Sequence, residues 1–209
     1  SNINDFDKNS LKFYINQNNE LSLEKELNKN FSLLKIDFRD RSNSEGLIKQ
    51  KDNVLDATIY KSDAITFSSK TFEKPIEFTG NFVGNLTFSV NKKDVDLYMK
   101  LYEQNKKGEY FLLSTYYGRA SYAKNPEKRK LLRENKETVV ALTNNEFVSK
   151  KLEKGSKLVL VLGVVKSPFM QIKYGTGKDV SEETIKDAEE PLEIKFYNDS
   201  FIKIPISKN

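Results

Sequence analysis

The run Ile65–Leu101, ITFSSKTFEKPIEFTGNFVGNLTFSVNKKDVDLYMKL, constrains this chain more than any other stretch. Within Gly84–Val90, the residues Leu86, Phe88 and Val90 fall on one side and Asn85, Thr87 and Ser89 on the other. Within Val95–Tyr102, the residues Val95, Leu97, Met99 and Leu101 alternate with Asp96, Tyr98, Lys100 and Tyr102. Successive side chains of an extended backbone point to opposite faces, so a period of two marks strands with one face on a core. The polar break Asn91-Lys92-Lys93-Asp94 has hairpin length, and the region reads as a β-meander.

Similar patterns recur along the chain. Leu11–Ile15 and Leu33–Phe38 are short candidates in an otherwise polar opening, and from Ala57 onward strands come steadily. They are expected at Ile65–Ser68, Ile76–Thr79, Phe82–Val90, Val95–Glu103, Glu109–Ser114, Thr138–Leu142, Val148–Leu152 and Leu158–Val165, with Tyr117–Tyr122 continuing the sheet. The segment LVLVLGVV is almost unbroken in its apolar character, which predicts burial on both faces. Leu192–Tyr197 alternates again, and after the turn Asn198-Asp199-Ser200 the segment Phe201–Ile206 is expected to return as its hairpin partner. Helix is scarce. Val180–Ala188 is the best case, with Asp179 or Ser181 as cap and Pro191 as stop, and Pro126–Arg133 is a short helix or turn. About ten strands without a βαβ rhythm predict an all-β fold, a jelly-roll β-sandwich with one or two short helices. We divide the chain into an extended approach segment with one or two edge strands, residues 1–53, and a sandwich domain, residues 54–209.

Two absences exclude whole classes of chemistry. The chain has no Cys, which removes disulfides, thiol catalysis and thiolate metal sites and leaves the compartment open. It has no His, so it cannot run a Ser-His-Asp triad by itself. The net charge of +5 arises from 35 basic against 30 acidic residues, a mixture that describes an ionised surface rather than a polyanion-binding face. Nucleic acid is therefore not an expected partner. No apolar run approaches the roughly 20 residues of a membrane-spanning helix, and no membrane partner is expected. The sequence opens Ser1-Asn2 without an initiating Met, and we expect a piece of a longer polypeptide.

Four stretches, taken in order, carry a family resemblance: Ile65–Gly80, Asn85–Leu101, Gly108–Tyr122 (GEYFLLSTYYGRASY) and Leu152–Phe169 (LEKGSKLVLVLGVVKSPF). Together they resemble the C-terminal β-sandwich domain of the X-prolyl dipeptidyl-peptidase and cocaine-esterase (acyl esterase) hydrolases, over about Val54 to Ile206. The resemblance implies a jelly roll similar to galactose-binding modules. It also implies a partner, an upstream α/β-hydrolase domain of the same polypeptide that holds the Ser, Asp and His. No G-x-S-x-G elbow occurs here, so no catalytic residue is carried over and no cofactor is implied. The expected role is a non-catalytic accessory domain of a serine hydrolase acting on ester or amide bonds. It would buttress the catalytic domain and shape its substrate cleft, and a homodimer contact is a further partner reading. The alternative is a carbohydrate-binding module.

The candidate site residues follow from these readings. Asp96 and Arg119 are charges embedded in strands, expected as an ion pair fixing neighbouring strands rather than as a catalytic or ligand pair. On that basis Arg119→Ala should destabilise the fold far more than Arg129→Ala. Asp94 and Asp96 have the spacing of two calcium ligands, but no further ligands are apparent. Gly175-Thr176-Gly177-Lys178-Asp179 invites a phosphate-loop reading, which fails because Ile172 stands where the first glycine is needed and Asp179 where a hydroxyl is needed. By the resemblance this is a loop between late strands that packs on the catalytic domain, so Phe169, Tyr174 and Lys178 are docking candidates. Tyr116, Tyr117 and Tyr122 are candidates for an aromatic sugar platform, against ordinary strand packing. Lys124–Lys136, with six basic residues, and Ser181–Glu193, with six acidic ones, read as solvated faces or a docking patch.

Overall fold

The computed structural model describes residues 9–42, 54–61, 63–143, 146–167 and 169–207. Its strands are β1 (Ser10–Ile15), β2 (Glu20–Ser22), β3 (Phe31–Ile36), β4 (Ala64–Ser69), β5 (Ile76–Gly80), β6 (Val83–Val90) and β7 (Asp96–Gln104). They continue with β8 (Tyr110–Arg119), β9 (Thr138–Thr143), β10 (Val148–Leu152), β11 (Lys157–Val164), β12 (Leu192–Tyr197) and β13 (Phe201–Pro205). Alternation, or for β11 an unbroken apolar run, located all of these except β2, whose three residues are too few to show a period. Eleven strands form one sheet folded over on itself, in the order β3-β12-β6-β13-β1-β2-β4-β11-β7-β8, with β9 on the other edge of β6. β5 and β10 pair as a separate antiparallel ribbon. The result is the all-β jelly-roll sandwich that the sequence predicts.

The connections differ from the sequence reading in four places. β6 and β7 are not a hairpin: β6 pairs with β12, β13 and β9, whereas β7 pairs with β11 and β8. Leu86, Phe88, Val90, Val95, Leu97, Met99 and Leu101 therefore meet in one core from strands that share no ladder. The break 91–94 is an arch between layers, and hairpin length alone does not distinguish the two. Second, β12 and β13 do not fold back on each other. Both run antiparallel to β6, β12 beside Phe88–Val90 and β13 beside Val83–Asn85, and the four residues Tyr197–Ser200 fill the place opposite Leu86 and Thr87. At this bulge the Ser200 hydroxyl accepts from Thr87 N at 2.9 Å and donates to Thr87 O at 3.1 Å, standing in for the missing ladder partner. β12 is thereby free to pair onward with β3 while β13 pairs with β1.

Third, Val180–Ala188 is not one helix but two 3₁₀ turns, Val180–Glu182 and Ile185–Asp187. Both caps draw on side chains: Asp179 accepts from Ser181 N, and Thr184 and Asp187 form a reciprocal capping box. Fourth, β8 stops at Arg119, and Ala120–Tyr122 is a 3₁₀ turn rather than strand. Pro126–Arg133 is not a helix: a turn closed by Lys128 N on Asn125 O at 3.3 Å is followed by irregular chain.

β11 is buried on both faces. Leu158, Leu160, Leu162 and Val164 join the main core, while Val159, Val161 and nearby Val165 form a smaller cluster with Ile59, Tyr98 and Tyr102. The segment 54–61 lies over this outer cluster. Asp56 N donates to Tyr110 O at 2.9 Å and Tyr110 N to Asp56 O at 2.8 Å, which ties the cover to β8. Covering one face of a strand this apolar removes about 1.5–3 kcal/mol of exposed side chain per residue from water.

Candidate functional site

The segment 165–191, between β11 and β12, carries the docking candidates, and buried charge holds it in place. Lys173 and Glu183 form an ion pair of 3.1 Å with no side-chain exposure on either partner. The pair is completed by other groups. Glu183 accepts from Tyr174 N at 2.7 Å, Thr176 N at 2.9 Å and the Thr176 hydroxyl at 2.5 Å, and Lys173 donates to the Lys178 carbonyl. Burial alone would push the Glu183 carboxyl up, but the bonds from Thr176, Lys173 and Tyr174 outweigh it and hold the group below its usual range. The loop that looked like a phosphate cradle thus wraps an anion supplied by the chain itself. Gly175 permits the wrap: its φ is +94°, and a Cβ there would stand 2.6 Å from Lys92 Cβ.

A second knot joins this loop to the β6–β7 arch. Asp94, fully buried, accepts from Ser121 N at 3.0 Å, the Ser121 hydroxyl at 2.7 Å and Arg129 Nη2 at 3.1 Å. Arg129 Nη2 also donates to the Lys178 carbonyl at 2.9 Å, so one guanidinium links arch, turn and loop. Sequence reading missed this set. Arg129 sits in a basic run and Glu183 in an acidic one, and no local pattern separates a buried member from its solvated neighbours. Those two runs share no ion pair among the described residues; Arg129 turns to Asp94 instead.

Asp96 and Arg119 face each other across β7 and β8, with Arg119 Nε to Asp96 Oδ1 at 2.7 Å and Nη2 to Oδ2 at 2.8 Å. The bidentate bond to Asp96 raises the guanidinium above its ordinary value. Asp94 and Asp96 therefore spend their carboxylates on different arginines, and among the described residues no group of three or more His, Cys, Asp or Glu is arranged to hold a metal ion.

The three candidate tyrosines do not form one surface. Tyr117 is paired with Tyr98 and lies on the outer face with Arg119, whereas Tyr116 is paired with Met99 and packs on the main core over Gly118. Tyr117, Tyr122, Met170 and Gln171 border a shallow cleft of about 400 Å³ with the Asp96–Arg119 pair in it. Beside it Phe169 is 72% and Met170 46% exposed, on a segment whose base is fixed by the buried charges. Tyr174 is different: it is buried, edge-on to Phe38 at 5.5 Å, and its hydroxyl accepts from Arg41 at 2.8 Å. Lys178 is exposed and pairs with Asp187 at 2.7 Å. The cleft presents apolar side chains around an ion pair, and among the described residues lining it there is no nucleophile–base couple.

The family model described as X-Pro dipeptidyl-peptidase C-terminal non-catalytic domain matches residues 7–185, so it takes in β1–β11 and ends before β12 and β13. No curated protein matches the sequence. Among solved structures, an aminopeptidase from a marine sediment archaeon, Thaumarchaeota archaeon, superposes with a TM-score of 0.80 at 15% identity, covering 96% of this chain and 37% of that one. An alpha-amino acid ester hydrolase gives 0.73 at 15% identity, with coverages of 95% and 36%. A CocE/NonD family hydrolase from Staphylococcus aureus gives 0.63 at 18% identity, with coverages of 96% and 36%. The chain thus spans little more than a third of these proteins, and at such identities the likeness is one of fold.

Proposed function

Since the chain belongs to the X-Pro dipeptidyl-peptidase C-terminal non-catalytic domain family, we propose that it is the accessory sandwich of a serine hydrolase acting on ester or amide bonds. Its partner in this reading is an upstream α/β-hydrolase domain of the same polypeptide. The contact is made by Phe169 and Met170, together with the cleft rim at Tyr117 and Tyr122. The observation that carries the reading is the exposure of Phe169 and Met170 on a segment whose base is locked by the Lys173–Glu183 pair. Met170 borders one cleft with Tyr117 and Tyr122, and a contiguous exposed apolar patch is characteristic of an interaction surface. The domain would contribute shape and water exclusion to the hydrolase cleft, and no proton transfer.

The test uses the parent polypeptide. Phe169→Asp with Met170→Asp should speed protease cleavage between the two domains and lower kcat/KM. Val139→Asp, at an exposed position of β9, should change neither. Unaltered protease resistance and kinetics in the double variant would end the docking reading. The 209-residue chain alone should turn over neither nitrophenyl esters nor X-prolyl anilides.

A further inference from the structure

A second, smaller cleft opens on the same outer face, and its polar groups are incompletely used. It holds about 70 Å³ and is lined by Tyr60, Asp63, Tyr98, Val165, Lys166 and Met170, among others. Tyr98 is built into it: a Cβ on Gly163 would stand 2.6 Å from the Tyr98 ring and 2.5 Å from the Asp63 carbonyl oxygen, so only glycine leaves the ring its place. Tyr98 is 8% exposed, and its buried hydroxyl has no hydrogen-bond partner among the described residues. The Lys166 side chain is 6% exposed, and its charge partner among the described residues is Asp63 at 3.6 Å, beyond hydrogen-bond length. Asp63 meanwhile accepts from the Tyr60 hydroxyl at 3.0 Å.

Among the described residues, two buried donors therefore line one cleft, the Tyr98 hydroxyl with no acceptor and the Lys166 ammonium with only the longer ion-pair contact to Asp63. Leaving such groups unmet is costly, and a fold retains the arrangement when something else supplies the acceptor. Among the described residues the buried Lys166 ammonium has only Asp63, at 3.6 Å, to balance it, which favours an anionic acceptor over a neutral one. Val165 and Met170 supply apolar wall. We propose that this cleft binds a carboxylate on a short apolar stem, held by the Lys166 ammonium and the Tyr98 hydroxyl. Burial, reinforced by the nearby Asp63 charge, pushes the Tyr98 phenol up and keeps it a donor throughout the neutral range. The inference goes beyond the docking proposal and does not depend on it. The carboxylate has two sources, a small free acid or an acidic side chain of a neighbouring polypeptide.

The experiment titrates the 209-residue chain with propionate, propionamide and the blocked peptide acetyl-Gly-Glu-Gly-amide, followed by amide chemical shifts and by Tm. Propionate should saturably shift the resonances of Val164, Val165 and Lys166, and propionamide should bind at least about tenfold more weakly. Tyr98→Phe should weaken propionate about tenfold while leaving the Tm of the empty protein unchanged or higher, because the orphaned hydroxyl is gone. That combination separates a ligand-holding hydroxyl from a structural one, and it stands even if Lys166→Met fails to fold. Binding of propionate alone assigns the source to a free acid, and binding of the peptide as well assigns it to an acidic side chain. Failure of both acids to bind, which describes a water-filled cleft, overturns the proposal. So does equal binding of propionamide, or undiminished propionate binding by Tyr98→Phe.

Discussion

Lys166 and Lys173 lie on the same segment after β11, both buried and both beside a carboxylate, yet their surroundings are completed to different degrees. Lys173 sits 3.1 Å from Glu183, which takes three further hydrogen bonds from Tyr174 and Thr176. Lys166 sits 3.6 Å from Asp63, next to a phenol with no partner among the described residues. A buried ion pair holds its place when its remaining donors and acceptors are met, and otherwise carries the desolvation penalty uncompensated. The contrast separates a structural pair from a candidate binding pair without any appeal to position in the sequence. It also explains the order along the segment: the completed pair fixes the loop base, and the incomplete one faces the open cleft.

The largest effect should come from breaking the completed pair. Lys173→Met leaves Glu183 buried without its cation and should cost about 3–5 kcal/mol in urea unfolding. The double variant Lys173→Met with Glu183→Met should recover most of that loss, since neither charge then remains to be solvated. A single variant as stable as the unaltered chain would erase the distinction between the two lysines.

Next in size is the pair of arginines, where the structure reverses the order expected from sequence. Arg129 serves Asp94, whose side chain is wholly unexposed, while Arg119 serves Asp96, which keeps 14% of its side chain in solvent. Arg129→Ala should therefore cost about 2–3 kcal/mol, softened by the Ser121 bonds that Asp94 retains. Arg119→Ala should cost about 1 kcal/mol, because water reaches that pair. Equal unfolding midpoints would show that the Ser121 bonds alone satisfy Asp94.

That reversal marks where the sequence stops being legible. Strand positions could be read because alternation is a local property of five to ten residues, and Leu86-Phe88-Val90 or Leu192-Ile194-Phe196 displays it directly. Pairing could not be read at 91–94 or 198–200, because an arch, a bulge and a hairpin all present as short polar breaks. Asp96 with Arg119 was visible because each charge interrupts a strand. Asp94, Arg129, Lys173 and Glu183 lie in loops rich in solvated charge, and only the folded chain shows which of them face inward. Tyr98 looked like one more outward residue of β7; its isolation depends on Gly163, 65 residues further along the chain.

The smallest effect is in the pH dependence, and it bears on both pairs. The folded Glu183 carboxyl lies below its ordinary value, so its contribution is complete above the unfolded value of about 4.3 and is lost as pH falls through the folded one. Asp179, Asp187 and Glu193 are lowered too, but water reaches each of them and salt screens their contributions, whereas the Glu183 side chain has no exposure and is screened far less. The acid limb of stability should therefore keep a salt-insensitive part that Glu183→Gln removes. At the other end, burial pushes Tyr102 up to about 12 and Tyr98 higher still. Their contribution is complete below the unfolded value of about 10 and fades as pH climbs through the folded values. Tyr98→Phe should flatten that alkaline limb and leave the acid limb untouched, while Glu183→Gln should remove the salt-insensitive part of the acid limb. Urea midpoints measured from pH 3 to 11 would read both limbs in one series, and a Tyr98→Phe variant that altered the acid limb as well would mean that the two sites are energetically joined through the segment between them.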